Sequence, residues 1–360
     1  MACPSFELSS RPLDASERSA LLGDLDQLGA DATLLDLYTA SLNCRNPTTR
    51  PFLLRGTSSG ALIGVALVHR CRDYGVSLFA SPWVRRTVVA GPPIWYWDRS
   101  GLGTDGVAGP GLVTAGIDRE AFADAAIQWL ARRHVAGAIV ERAATPRPQP
   151  SVDLGWLGVS ELSVTADTRA DLVAAHKNLA RKLRRFENRG GTIERLRGPI
   201  PIHLRGSLLR GYDIVRPMDP PFRSLYPAMV DAHWSIPSDR VVHLIARSVG
   251  SPVGYHSFLH TGSTLSLLSG AFDRVPDSAP HAYESVLMAS VDLAVDLGCT
   301  VVHYGPAVNE VKRSLLQASP TRLRFVSLVP PVRSAIRAVW PRTRLARGQA
   351  ALLRTAPQAP

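Results

Sequence analysis

Residues His281–Val329 read HAYESVLMASVDLAVDLGCTVVHYGPAVNEVKRSLLQASPTRLRFVSLV, and the boundaries inside this stretch decide the fold class. Between Tyr283 and Leu297 the apolar residues Tyr283, Val286, Leu287, Val291, Ala294, Val295 and Leu297 recur at helical spacing over a wide face, the pattern of a helix laid on a sheet. Gly298 ends that helix, because a glycine enters the left-handed conformation of a helix stop at low cost. Thr300, Val301 and Val302 form a short β-branched run that suits a central strand covered on both faces. Gly305 and Pro306 stop it, and a second helix begins after the proline, carrying Glu310, Lys312 and Arg313, before a last strand. Helix, buried strand, basic helix and strand in this order predict an α/β protein built on a mixed sheet.

Upstream, the same order occurs once more. The run from Pro51 to Cys71, PFLLRGTSSGALIGVALVHRC, is two apolar segments around the turn-forming Gly56–Gly60, a hairpin signal. HLIARSVGSPVGYHSFLH, from His243, matches it with one residue more or less in the turn, so that Ile63-Gly64 falls on Val253-Gly254. LARRHVAGAIVE from Leu130 sets against LAVDLGCTVVHY from Leu293 without a gap. Hairpin, loop, helix and strand therefore occur twice, which predicts two copies of one α/β unit. The first copy is longer mainly by the segment Gly91–Gly111, rich in glycine and proline and bearing Trp95, Tyr96 and Trp97. Those rings either plug a domain junction or line a ligand cleft.

The domain reading is 1–145 for the first unit, 152–329 for the second and 330–360 for a basic, lightly amphipathic tail. The proline-rich ERAATPRPQPSVD lies between the units as a linker. At 360 residues two domains are the ordinary expectation. An apolar fraction of 45% with 20% charged residues describes a globular chain rather than a disordered one. Lysine and arginine outnumber aspartate and glutamate by 41 to 30, a net charge of +11 that points to an anionic partner: nucleic acid, a phosphorylated small molecule or a membrane surface. The tail could pack back on the first domain or touch nucleic acid or lipid.

Cys3, Cys44, Cys71 and Cys299 form no CxxC pair, which argues against a zinc site or a disulfide framework and for a reducing cytoplasm. No run of about 18 apolar residues offers a membrane span. The histidines have no metal-motif spacing, no GxSxG is present, and no metal is expected. His256 and His260 share one face of a hairpin strand, either as packing or as a proton-shuttling pair.

The most basic element is DLVAAHKNLARKLRRFENRGG from Asp171, read as one helix. Leu172, Leu179, Leu183 and Phe186 take one face, Lys177, Arg181 and Arg184 lie opposite, and Lys182, Arg185 and Arg189 flank them. Six cations against Glu187 are lopsided for a merely solvated face and favour an anion-contacting surface over it.

This basic helix closed by glycine, a stretch with Arg223 and Tyr226, a long hairpin, the Tyr283–Leu297 helix, a strand, and the lysine-bearing NEVKRSLL together resemble the second domain of the Fem-type family. That family comprises the peptidoglycan-bridge aminoacyltransferases and their relatives, built as two GNAT-like acyltransferase domains in tandem. The resemblance covers Val152–Val329 and, through the repeat, more loosely Phe52–Val140. It implies a tandem GNAT-like, Fem-type architecture and an N-acyl transfer from an activated ester to an amine. It further implies Lys312 and Tyr304 as catalytic residues, with Arg223, Tyr226, Tyr283 and Glu284 toward the acceptor. Lys177, Arg181, Arg184 and Arg185 would hold tRNA phosphates.

Two donors suit such a fold. Coenzyme A needs consecutive backbone N–H groups at the start of the helix after the hairpin, usually with glycines. Here that position is DRVPDSAPHAYE, with two prolines and no glycine. Aminoacyl-tRNA instead asks for a broad positive surface, which favours it as partner, with no cofactor and with acetyl-CoA or acyl-CoA as the alternative donor. The implied acceptor is an amine-bearing peptide or phosphorylated cell-wall precursor, and a non-catalytic RNA-binding protein on the same fold is the rival outside enzymology.

Overall fold

A computed structural model of the chain describes residues 4–27, 33–43, 49–71, 94–98, 112–114, 119–133, 138–141, 151–215, 230–231, 233–272, 281–304, 315, 317–326 and 328–339. These fall into two compact units. The first opens with β1 (Ser5–Ser9), α1 (Ala15–Gln27) and α2 (Thr33–Asn43). The hairpin of β2 (Thr49–Ser58) and β3 (Ala61–Cys71) comes next, then β4 (Ile94–Asp98), β5 (Leu112–Thr114), α3 (Arg119–Arg133) and β6 (Ala138–Glu141). β7 (Ser151–Ser163) leads into the second unit. There come α4 (Thr168–Ala175), α5 (Leu179–Asn188), β8 (Gly191–Arg197), α6 (Ile202–Val215), β9 (Val241–Ser248), β10 (Ser251–Thr261) and β11 (Thr264–Phe272). α7 (Ala282–Asp296) and β12 (Val301–His303) complete it, and the chain returns to the first unit as β13 (Gln317–Val326) and α8 (Pro330–Val339).

The strand orders of the two units correspond. In the first, β1-β2-β3-β4-β6-β13 are neighbours, parallel only between β4 and β6, and β5 pairs with β3. In the second, β8-β9-β10-β11-β12-β7 are neighbours, parallel only between β11 and β12. The duplication read from the sequence extends to backbone detail. Both hairpins turn through two residues of positive φ, Ser59-Gly60 and Val249-Gly250, the conformation a two-residue hairpin loop requires. Three residues on, each has a register shift, at Ile63 before Gly64 and at Val253 before Gly254. The turns have equal length, so the expected residue more or less is not there. α3 and α7 are each 15 residues long.

The sixth strand differs in origin. Leu323–Val326 of β13 pair with Ala138–Glu141 of β6, so residues 320–360 group with the first unit, whereas the sequence reading ended the second domain at Val329. In the second unit Glu161–Ser163 of β7 fill the equivalent place beside β12. A strand's partner is set by long-range pairing, which local patterning does not contain.

Each sheet carries its own core. In the first unit Phe122, Ile127 and Leu130 of α3 pack on Leu54, Ala66 and Val68. In the second, Val286, Leu287, Val291 and Leu293 of α7 cover Val242, Leu244, Phe258, Leu265 and Val302. Because strand side chains alternate, the neighbouring positions His243, Tyr255 and Ser257 face the other way, where Trp234 is buried with them. Trp234 Nε1 donates to Ser257 Oγ (3.2 Å). His243 donates from Nε2 to Gly198 O (2.9 Å), which leaves Nδ1 to accept from Ser257 Oγ (2.8 Å). This relay pairs the indole, hydroxyl and imidazole with one another and with the backbone, as an apolar setting demands. Among the described residues no helix is long and apolar enough to cross a membrane.

Candidate functional site

β11 and β12 run parallel for three pairs, Thr264↔Val301 to Ser266↔His303, where β12 ends. At the same level β11 changes register against β10: Ser257 faces Ser269 and Phe258 faces Leu267, so Leu268 is an extra residue. A bulge bends its strand and re-aims the residues beyond it, which is why bulges gather beside sites. The second half of β11, Leu267–Phe272, continues past the end of β12, and the next helix, α7, begins beside its end, with Phe272 and Tyr283 rings 5.0 Å apart.

A row of rings lies on the helix side of the sheet here. His256 lies edge-on to Phe258, Phe272 and Tyr283 at 5.7, 5.1 and 5.6 Å, and Phe258 meets Tyr304 at 6.3 Å. Gly270, opposite His256 in the β10–β11 ladder, makes room for that imidazole, since a Cβ there would stand 2.3 Å from its Cδ2. His256 thus packs, while His260 donates from Nε2 to Gly262 O (2.9 Å). Of the two readings of these histidines, packing is the one their contacts carry.

Tyr304 follows directly on β12 and is 1% exposed. Ser290 Oγ donates to Leu287 O (2.7 Å), so its remaining capacity is to accept, and the Tyr304 hydroxyl donates to it at 2.6 Å. Burial pushes the phenol well above its usual range, so Tyr304 is a neutral donor anchored to α7. Tyr283 and Glu284 occupy the first turn of α7, after His281 in the left-handed conformation (φ 69°). Glu284 is buried and receives Lys182 Nζ of α5 at 2.8 Å. A carboxylate in the first helical turn also meets the positive end of the helix dipole. The Lys182 contact ties the basic element to the site and was not among the contacts expected from sequence.

The basic element is two helices and not one. α4 ends at Ala175 and α5 starts at Leu179 after the cap residue Asn178, so Lys177 sits in the turn between them. The helical phase that placed Lys177 on the same face as Arg181 does not run through this break. Lys177, Arg181, Arg184 and Arg185 lie on α5 or in the turn before it, and Leu179, Leu183 and Phe186 are buried as expected. Lys312, Arg223 and Tyr226 lie outside the described residues, as do Arg313 and Glu310.

A cavity of about 450 Å³ lies elsewhere in the second unit, between α5, β8 and α7, and none of its lining residues belongs to β11 or β12. Ion pairs from α7 to Arg169 and to Arg195 stand at its border, Asp292 with the first and Asp296 with the second. Among the described residues no cluster of histidine, cysteine and carboxylate ligands is assembled.

No family model matches the chain, and no curated protein matches its sequence. Solved structures do match. The C-terminal domain of a protein assigned as a lysylphosphatidylglycerol synthetase from Agrobacterium fabrum is 12% identical and aligns with a TM-score of 0.53 over 93% of this chain and 97% of that one. FemX is 10% identical, with a TM-score of 0.53 over 83% of this chain and 92% of its own. A conserved protein of unknown function from Bacteroides thetaiotaomicron is 11% identical, with a TM-score of 0.50 over 89% and 100%. At such identities the likeness is one of fold: the chain shares its mixed α/β fold with FemX and these other structures, the fold expected from its sequence.

Proposed function

We propose that the chain is an N-acyltransferase of the GNAT/Fem type, moving an aminoacyl group from aminoacyl-tRNA to an amine acceptor in the cytoplasm. The observation that carries this reading is the short parallel ladder of β11 and β12, which covers only Thr264–Ser266, with the Leu268 bulge in β11 just beyond it and the start of α7 beside the end of β11. Among the described residues the ladder between β11 and β12 ends at Ser266, and a peptide-like substrate is placed along the strand beyond it. That suits an acceptor such as an amine-bearing peptide or a phosphorylated cell-wall precursor.

The charges near α7 support tRNA over coenzyme A as the donor. A pyrophosphate at this helix start would meet the Glu284 carboxylate, and Pro276 and Pro280 remove two backbone donors just before it. The cations Lys177, Arg181, Arg184 and Arg185 offer a polyanion a surface, joined to the site through Lys182 and Glu284.

In the reaction the unprotonated acceptor nitrogen attacks the ester carbonyl and forms the C–N bond. The tetrahedral oxyanion then collapses, the C–O bond to the ribose breaks, and the ribose oxygen takes up the proton the amine loses. Lys312 supplies positive charge to the oxyanion or to the departing oxygen. The peptide N–H groups after Pro306 orient the carbonyl, and Tyr304, pinned to Ser290, fixes the strand end that leads to them. Arg223 and Tyr226 contact the acceptor phosphate.

The test is transfer of a radiolabelled amino acid from charged tRNA to peptide amines, run beside acetyl-CoA, with wild-type protein and Lys312→Ala. The expected result is transfer from tRNA alone and a loss of about 10²–10³-fold in the variant, the scale of one oxyanion-stabilising group. Transfer from acetyl-CoA alone would move the donor to acyl-CoA. Retained tRNA binding without transfer from either donor would overturn the enzymatic reading.

A further inference from the structure

The cavity between α5, β8 and α7 has, at about 450 Å³, a volume common among small-molecule sites. Its α7 wall is a single stripe of the helix, because Ser285, Ala289, Asp292, Leu293 and Asp296 recur at three- and four-residue spacing. Leu183, Phe186 and Leu244 line it together with Leu293, and all four are buried. The charged lining residues are exposed or half-buried, so the cavity has an apolar inner part and a charged rim.

Ser285 breaks the apolar character of the inner part. It is 7% exposed, and its Oγ is buried without a hydrogen-bond partner among the described residues. A helical serine commonly turns back to a carbonyl of the preceding turn, as Ser290 does to Leu287 O, but Ser285 does not. A buried hydroxyl left in this way costs stability until something pairs with it.

The rim is acidic against the trend of the chain. Arg169 is committed to Asp292 and Arg195 to Asp296 (2.8 Å), while Glu187 takes part in no ion pair among the described residues. Three carboxylates thus stand with two guanidinium groups, in a chain of net charge +11. Desolvation holds the Asp292 carboxyl above its usual range in spite of Arg169, and Asp296 adds to the shift. Such a rim draws in a cation and repels an anion. Along α7, Ser285 and Asp292 are seven residues apart, about 10 Å at 1.5 Å per residue, which sets the length of a ligand that reaches both.

We propose that this cavity binds a small amine in its ammonium form, with the charge among the rim carboxylates, a hydrocarbon middle against Leu183, Phe186, Leu244 and Leu293, and an uncharged hydrogen-bonding group at Ser285. The proposal does not rest on the acyl transfer, since no lining residue belongs to β11 or β12. Its test is calorimetric titration of the full chain with tyramine, with phenethylamine, which lacks the hydroxyl, and with 3-(4-hydroxyphenyl)propanoate, which replaces the ammonium by a carboxylate. Variants are Ser285→Ala, Glu187→Gln and the cavity-filling Ala289→Phe, each with an unfolding midpoint as a check of fold.

Expected are binding of both amines but not of the acid, and a preference for tyramine of about fivefold, the scale of one neutral hydrogen bond. Ser285→Ala should erase that preference while phenethylamine binds as before. Glu187→Gln should weaken both amines, more at low salt than at high, and Ala289→Phe should abolish binding of both. The proposal is overturned if neither amine binds, if the acid binds as well as tyramine, or if the preference survives Ser285→Ala. Amine binding that persists in Ala289→Phe also overturns it, placing the amine elsewhere and leaving the transfer reading untouched.

Discussion

Substituting Gly270 by alanine should wedge the wall of the candidate site. The added methyl would stand 2.3 Å from His256 Cδ2, 3.0 Å from its Nε2 and 3.1 Å from Tyr255 O. Ordinary contact begins near 3.4 Å, so the imidazole has to withdraw by about 1 Å. It has nowhere to go: Phe258, Phe272 and Tyr283 hold it edge-on at 5.7, 5.1 and 5.6 Å, and the residue is 2% exposed. Overpacking of this kind costs about 1–3 kcal/mol, and the lower chain entropy of alanine in the unfolded state returns about 0.5–1 kcal/mol. The net loss is about 1–2 kcal/mol, or a fall in Tm of about 2–6 °C for a unit of this size. A double-mutant cycle in urea unfolding isolates the cause. His256→Ala alone should destabilise by a few kcal/mol through the cavity it leaves, and in that background Gly270→Ala should become neutral or mildly stabilising. Costs that simply add, or a Gly270→Ala protein as stable as the wild type, would refute the packing argument.

Stability should also depend on pH through two buried histidines. Desolvation lowers both His233 and His243 to about 4, so each is neutral in the folded chain while the unfolded chain takes up a proton near 6.5. Folding then releases protons between these values, and stability falls as pH drops through that window, by roughly 3 kcal/mol per histidine at its lower end. A Tm series from neutral to pH 5 should slope downward, and His243→Gln, whose amide can still donate toward Gly198 O, should flatten it. Tyr304→Phe removes one hydrogen bond but leaves Ser290 donating to Leu287 O, so a loss of about 1 kcal/mol in urea unfolding is expected. Lys182→Ala leaves the buried Glu284 without its 2.8 Å partner, and, the lysine being partly solvated, should cost only about 0.5–1 kcal/mol in the same assay. Arg181→Glu/Arg184→Glu/Arg185→Glu should weaken tRNA retention on filters and flatten its salt dependence without moving Tm by more than about a degree or two.

Much of the fold was legible because its causes are local. The apolar phase from Tyr283 to Leu297 placed α7 to within a residue, and Gly298 takes positive φ (67°) where the helix stops. Gly190 does the same after α5 (φ 70°). The match of Ile63-Gly64 with Val253-Gly254 pointed to positions where both hairpins bulge. The site was less legible. Lys177 and Arg181 have the spacing of one helical face, but the turn at His176–Asn178 interrupts it, and nothing in helical periodicity marks that turn. Strand alternation placed His256 and His260 on one face and left packing and a proton-shuttling pair both open, since the ring row around His256 depends on Phe272 and Tyr283 arriving from other elements. β7 was hidden because its first residues come directly after a proline-rich run that reads as linker.

By itself the sequence determined element types, the repeat and the excess of cations, since each is a matter of residue spacing and chemistry along a few turns or strands. Tertiary structure alone decided that β12 pairs in parallel with Thr264–Ser266 of β11, that β13 joins the first sheet, that the Tyr304 hydroxyl donates to Ser290, and that Lys182 meets Glu284. Those outcomes depend on which distant segments pair and in what register, and a strand exposes the same donors and acceptors to any partner until packing of the whole unit selects one.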